Sequence, residues 1–296
     1  MKKQNAEKLI APIITMMEKG VVPWVKTWKN KSSILYFNHR NFKSGRLYHG
    51  QNQFLLTAIA QDKGYDSNGW LTFPEIQELG GRIKKGEKGT MVVYGSKFIP
   101  KSIKSDSRLS DEEKEDKSIF FLKTRYNWNV AQLTGIDYKS ILDSDDDKLD
   151  FEPVEEAEKH IPKDCKIKYG LYNPAYIPSK DEIIMPNKND FKTLEDFYSA
   201  LFHEVSHWTG HESRLNREGI KGGHFGDKIY SKEELIAEMS SSFILSYLGI
   251  RSEALLTNTA GYLQSWLKVI KDDPSILMKA ATQAMKAYEF ICGETE

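Results

Sequence analysis

His203-Glu204-Val205-Ser206-His207 reads H-E-x-x-H and lies in a segment of helical period. From Thr193 to Trp208 the apolar residues Leu194, Phe197, Leu201, Val205 and Trp208 recur at gaps of 3, 4, 4 and 3, one face of a helix. Thr193 followed by Asp196 predicts an N-cap, and Gly210 predicts a stop. His203 and His207, four apart, then lie one above the other, off the buried stripe. Two imidazoles at that spacing can bind one Zn²⁺, with Glu204 placed to take a proton from metal-activated water. An amphipathic helix with idle histidines would show the same letters. Context favours the metal: the chain has seven histidines, and three fall within nine residues.

A catalytic zinc wants three protein ligands and one open position. The candidates for the third are His211, Glu234 and Glu238. His211 follows His203 by about 12 Å of continuous helix, so it reaches the metal only if the helix breaks at Gly210. A metzincin pattern fails, because its third histidine would stand at Ser213. The next helical segment, Ser231 to Leu248, carries Leu235, Met239, Phe243 and Leu248 on an apolar face. Its run Glu234-Leu-Ile-Ala-Glu238 resembles the E-x-x-x-D of gluzincins. In that resemblance Glu234 is the third ligand and Glu238 orients a ligand histidine. Ser231 with Glu234 also reads as a capping box.

At 296 residues the chain has room for about two domains, and 40% apolar with 28% charged residues fits a globular protein. The zero net charge hides an asymmetry. Residues 1–100 hold 16 Lys/Arg against 7 Asp/Glu, whereas the remainder holds 26 against 35. A basic front and an acidic back suggest different partners. Cys165 and Cys292 offer neither a disulfide framework nor C-x-x-C, which favours the cytoplasm. The apolar run Leu9 to Met17 lacks a small-residue cleavage site after it, and no run approaches a membrane span.

A first helix is predicted over 6–18, with Pro12 marking a late start or a kink. Pro23-Trp24-Val25-Lys26-Thr27-Trp28-Lys29 interleaves two tryptophans with lysines, and such a loop can stack nucleobases or pin itself to a core. A basic turn, Asn41 to Arg46, leads to Tyr48 and a helix from Asn52 to Lys63. Gly69 to Phe73 begins a strand and then a helix ending at Gly80-Gly81. Arg82-Ile-Lys84-Lys85-Gly86-Glu-Lys88-Gly89 is a glycine-punctuated basic loop suited to phosphate contact, though a solvated hairpin has the same look. It leads into strand Met91 to Tyr94. Residues 101–118 read as a mobile insertion, Ile119 to Tyr126 as a strand, and the like-charge run at 143–150 as a linker. Behind it come a helix over 153–160, strand Lys166 to Tyr169, a hairpin from Tyr176 to Pro186 ending on an edge strand, and two late helices, Thr257 to Ile270 and Pro274 to Ile291. Arg214, Arg217, His224 and Tyr230 are candidates to stabilise an oxyanion.

Two longer sets of motifs carry a resemblance. Glu18-Lys-Gly-Val-Val-Pro-Trp24, Trp28, Gly45-Arg-Leu-Tyr48, Asn52, Trp70-Leu-Thr-Phe73, Gly80-Gly-Arg-Ile-Lys-Lys-Gly86 and Tyr126-Asn-Trp-Asn-Val130 resemble the N-terminal single-stranded-DNA-binding domain of ArdC-type antirestriction proteins. That domain also occurs in TraC-type conjugative primases. The run His203 to Arg217, with Tyr230, Glu233-Glu-Leu-Ile-Ala-Glu238 and Tyr262-Leu-Gln-Ser-Trp266, resembles their zincin-type metallopeptidase domain. The resemblance implies a protein of a plasmid, phage or integrative element that coats entering single strands and helps them escape restriction. It also favours Glu234 over His211.

The expected architecture is α+β: a single-stranded-DNA-binding α/β domain over 1–140, an acidic linker over 141–152, and a gluzincin-like domain over 153–296. Zn²⁺ is expected on His203, His207 and Glu234, with Glu204 as general base and Glu238 behind the ligands. DNA contacts are expected at Trp24, Trp28, Arg46, Tyr48, Asn52, Trp70, Arg82, Lys84, Lys85 and Lys88. The expected partners are single-stranded DNA and a protein substrate of unknown identity, with no membrane. The rival is a DNA-binding shield whose metal only holds the fold. A nuclease fits less well, because nuclease metals prefer carboxylate-rich Mg²⁺ sites.

Overall fold

The computed structural model describes residues 3–25, 38–98, 100, 119–138, 153–220, 228–250 and 252–293. Trp28, the insertion at 101–118, the linker at 141–152, His224 and the side chain of Tyr230 lie outside the described residues.

Helix α1 (Lys3–Glu18) buries Leu9, Ile10, Ile13 and Met17. It starts ahead of Pro12 rather than at it. Pro12 and Lys8 both face solvent, so water can satisfy the carbonyl that the proline leaves without a donor. Strand β1 (Arg40–Asn41), helix α2 (Gln51–Lys63), strand β2 (Gly69–Thr72) and helix α3 (Phe73–Glu78) follow. Thr72 and Glu75 form the capping box that starts α3, with Thr72 N–H donating to Glu75 Oε2 at 2.7 Å. Strands β3 (Arg82–Ile83) and β6 (Leu133–Thr134) make a small ladder around the long pair β4 (Thr90–Phe98) and β5 (Ile119–Asn129). The main sheet runs β1-β2-β5-β4, parallel only between β1 and β2.

The back opens with α4 (Pro153–Lys159) and strands β7 (Lys166–Tyr169), β8 (Ala175–Ile177) and β9 (Glu182–Met185). Four helices complete it: α5 (Leu194–Trp208), α6 (Lys228–Tyr247), α7 (Glu253–Asp272) and α8 (Ser275–Cys292). The hairpin expected before the metal helix is present, but its edge is reversed. The order β7-β9-β8 makes β9 the central strand and β8 the edge. Ile183 and Met185 of β9 are fully buried, whereas every residue of β8 is only half-buried. The more buried strand takes pairing on both sides.

One hydrophobic cluster joins front and back. Leu9, Ile13, Phe54 and Val93 belong to the same core as Leu201, Val205, Phe243 and Leu277. Trp24 is its keystone, with ring centroids 6.4 Å from Phe54 and 5.7 Å from Trp266 of α7. Burial of this contiguous apolar surface locks α1 and α2 against α7 and α8.

Candidate metal centre

Helix α5 forms where its apolar period requires, and Thr193 Oγ1 caps it by accepting from Asp196 N–H at 3.1 Å. Its buried stripe packs inward and turns His203 and His207 toward α6. The two Nε2 atoms lie 3.2 Å apart. Glu234 of α6 closes the triangle, with Oε2 3.6 Å from His203 Nε2 and Oε1 3.4 Å from His207 Nε2. A tetrahedral ion with bonds of about 2.0–2.1 Å sets neighbouring ligand atoms about 3.3 Å apart. The donor set therefore fits one divalent metal. Among the described residues it is the only such group of His, Cys, Asp or Glu whose ligand atoms lie within 4.8 Å of one another. His211 is not part of it; its Nδ1 pairs with Ser213 Oγ at 2.9 Å, past the end of α5.

Each histidine leans on a second carboxylate through its other nitrogen. Glu238 Oε2 is 3.5 Å from His203 Nδ1, and Glu233 Oε1 is 3.4 Å from His207 Nδ1. These partners direct both Nε2 atoms to the same point and fix the tautomers a metal needs. Burial disfavours the charged imidazoles, but the carboxylates outweigh it. His203 is raised well above its ordinary value and His207 to about 9. Burial likewise opposes ionisation of Glu234, and the two imidazoles still hold its carboxyl well below the usual range.

Glu233 is in turn held by Arg217, a residue the sequence offered for an oxyanion. Arg217 is buried and gives Nε and Nη2 to Glu233 at 3.1 and 2.6 Å, with Nη1 to Thr209 Oγ1 at 2.8 Å and Nη2 also to Ser206 O at 2.7 Å. Arg214 is also engaged. It covers the Trp208 ring at 3.7 Å, donates to Trp208 O at 2.7 Å and pairs with Asp181. Neither guanidinium lines the pocket, so the arginine expectation is corrected to a supporting one. Gly210 lies just past the helix end, where a stop was expected, and its small size has a further reason. Helix α5 ends at Trp208, and a Cβ on Gly210 would lie 2.6 Å from Ile220 Cγ1 and 2.7 Å from Arg217 Nη2.

A pocket of about 360 Å³ opens on this group, walled by Pro174, Ala175, Tyr176 and Pro178 at edge strand β8 and by Gly219 and Ile220 opposite. Glu204 lines it, and its Oε2 accepts the Tyr176 backbone N–H at 2.7 Å. The arrangement combines three metal donors, one fixed carboxylate and an open strand edge. Sequence reasoning missed Glu233 and the Tyr176 amide. The Glu233-Glu234 doublet was the only trace of the first, and the second depends on which strand becomes the edge.

In the front, the candidate DNA residues divide by burial. Trp24 and Trp70 are 1% and 0% exposed, so neither ring can stack a base, and both are corrected to core residues. Trp70 Nε1–H donates to His39 Nδ1 at 3.0 Å, and burial lowers His39 to about 3, so that ring is a neutral acceptor. Tyr48 is buried, with its hydroxyl bonded to Asn127. Asn52 clamps strand β4 through both backbone groups of Val93, at 2.6 and 2.9 Å. Arg46, Arg82, Lys84, Lys85 and Lys88 remain exposed. Lys84 Nζ ties to Ala131 O at 2.7 Å.

Comparison with known proteins meets this geometry. Residues 155–283 match the model of a zincin-like metallopeptidase domain, which implies a metal here, and residues 3–128 match the N-terminal domain of anti-restriction factor ArdC. Two DNA primases TraC of Escherichia coli are 30% and 31% identical over 98% of this chain, which spans only 27% and 20% of their lengths. The antirestriction ArdC protein of plasmid R388 is similar in its metal-free and Mn(II)-bound crystal structures, each with a TM-score of 0.71 over 97% of this chain. The Mn(II) complex widens the zinc expectation to a divalent metal whose identity is open. No described helix is long and apolar enough to cross a membrane. With 30% identity to that protein across 97% of this chain and 96% of that one, the chain belongs to the ArdC family of antirestriction proteins.

Proposed function

We propose that this protein protects a mobile element by binding its single-stranded DNA and by hydrolysing peptide bonds at the metal centre. The observation that carries the hydrolytic half is the convergence of His203, His207 and Glu234 beside Glu204 in a pocket walled by an open strand edge. His203, His207 and Glu234 would hold the ion, and zinc suits a His₂Glu set. Bound there, it supplies Lewis acidity to a carbonyl oxygen and a lowered pKa to water. Glu204 acts as general base and then returns the proton to the leaving amine. The Tyr176 amide fixes that carboxylate, and β8, with Pro174 and Pro178 flanking it, offers carbonyl oxygens at its edge to an extended peptide. The DNA half draws support from the exposed basic residues of the front and from its match to the ArdC N-terminal domain. Cys165 and Cys292 are not joined in a disulfide, which suits a reducing cytoplasm. The primase activity of the TraC relatives belongs to much longer proteins and is not assigned to this chain.

Mass-spectrometric metal content tests the centre. Near-stoichiometric metal should fall in Glu234→Ala and survive in His211→Ala; the reverse would overturn the ligand set. Glu204→Gln should keep the metal while losing hydrolysis of an unfolded protein offered with single-stranded DNA. A metal-loaded wild type that cleaves nothing under those conditions would leave the centre structural.

A further inference from the structure

Burial of Trp24 and Trp70 removes two of the aromatic residues expected to meet DNA, and a groove elsewhere in the front presents an exposed ring. Between α1, α2 and the β4–β5 pair runs a groove of about 530 Å³, within the range of about 300–1,000 Å³ typical of ligand pockets. Lys8, Lys19, Lys63 and Lys88 rim it against a single carboxylate, Asp62, which pairs with Lys63 at 3.2 Å. Leu9, Leu55, Ile59 and Met91 form its apolar lining. Tyr65 and Tyr126 are its aromatic members, and Tyr126 is 52% exposed. Tyr126 stands opposite Met91 in the register of β5 and β4, so ring and apolar lining are adjacent. Gly89 lets the chain enter β4 close beneath that ring: a Cβ there would lie 3.1 Å from Tyr126 Cβ and 2.9 Å from the Trp128 indole.

We infer that this groove captures unpaired bases of a single strand, with Tyr126 as the stacking face and Lys8, Lys19 and Lys63 on the flanking phosphates. The inference rests on the single-strand-binding reading above and gives it a place. An apolar lining with an open ring accepts the flat face of any base, and ammonium groups at the rim accept phosphate charge, so the site is indifferent to sequence. A duplex keeps its bases stacked and paired, so they cannot enter. Lys88 belongs both to the groove and to the basic loop with Arg82, Lys84 and Lys85. An acidic peptide fits less well, because no arginine fork lines the groove to grip carboxylates.

Fluorescence anisotropy on the full chain tests this with an oligothymidylate of about 15 nucleotides and an abasic strand of equal length. Tyr126→Ala should weaken thymidylate binding about tenfold and leave abasic binding unchanged. Lys8→Ala with Lys63→Ala should reduce the slope of log affinity against log salt by about 1.4, at about 0.7 per lost phosphate contact. Both variants should keep wild-type metal content, which shows an intact fold. Wild-type affinity in both, alongside loss in Lys84→Ala with Lys85→Ala, would overturn the groove and leave DNA binding to the basic loop. Equal wild-type affinity for thymidylate and abasic strands would overturn base capture. Failure of the wild type to bind either strand would overturn the single-strand reading itself.

Discussion

Arg217 lies behind the pocket wall and Glu233 in it, and the direction in which His207 points depends on both. Both side chains are 4% exposed, and their pairing matches a planar fork to a carboxylate. Removing one partner strands the other charge. Arg217→Met should therefore cost about 3–5 kcal/mol in urea unfolding of the metal-free protein. It should also weaken metal affinity about 10–100-fold, because Glu233 no longer holds the imidazole. The double variant Arg217→Met/Glu233→Gln should recover most of the stability and little of the affinity. Recovery of both would make the pair an ordinary structural one. Protonation gives a second expectation. In the metal-free protein His207 titrates at about 9, above its ordinary 6.5, so its ion pairs stabilise fully below 6.5 and are lost as pH rises through 9. A metal needs the neutral ring and must displace that proton at pH 7, so affinity should climb as pH rises toward 9. Calorimetry in two buffers of different ionisation enthalpy should give different heats of metal binding; equal heats would exclude proton release.

Between helices α5 and α6, which bring three ligands together, residues 209–220 pack closely against Arg217, Ile220 and Glu233, and two glycines permit it. A Cβ on Gly210 would press on Ile220 and Arg217, and one on Gly219 would lie 2.7 Å from Glu233 Cβ. Gly210→Ala should cost about 1–3 kcal/mol by overpacking and lower metal occupancy with it. Gly261, exposed on α7 with nothing within 4 Å of its Cβ position, is the control. Gly261→Ala should gain roughly 0.5–1 kcal/mol and leave the metal untouched. Urea midpoints with metal analysis on both variants decide it. A stable, fully loaded Gly210→Ala protein would remove the packing argument. At this scale the sequence was informative where a signal is local. The period of α5, its Thr193 cap and the i, i+4 histidines all follow from neighbours in the chain. The reversed edge of the β8–β9 hairpin does not, because it depends on β7 arriving parallel to β9. Gly210 was legible as a helix stop but not as a seat for a distant guanidinium, because the two look identical in one dimension.

Trp24 shows how the same ambiguity grows with distance. Between lysines in a loop, a tryptophan reads equally well as a base-stacking ring or a core anchor, and its partner Trp266 lies near the other end of the chain. Charge segregation suggested two separate parts, yet it is a property of surfaces and carries no information about what meets beneath them. Beneath them the apolar faces of α1 and α2 rest on α7 and α8, and Lys271 reaches Glu18 at 2.6 Å over the junction. Residues 1–140 taken alone would expose Leu9, Ile13, Trp24 and Phe54 to water, so that fragment should not unfold cooperatively. In the full chain, calorimetry should show one transition in which front and back melt together. Trp266→Ala removes the ring against Trp24 and should lower that single transition by the equivalent of about 3–5 kcal/mol. Stripping the metal should lower it further without splitting it, since metal binding stabilises whatever unfolds with its site. Two resolved transitions, with Trp266→Ala moving only one of them, would mean that the shared core does not couple the two parts.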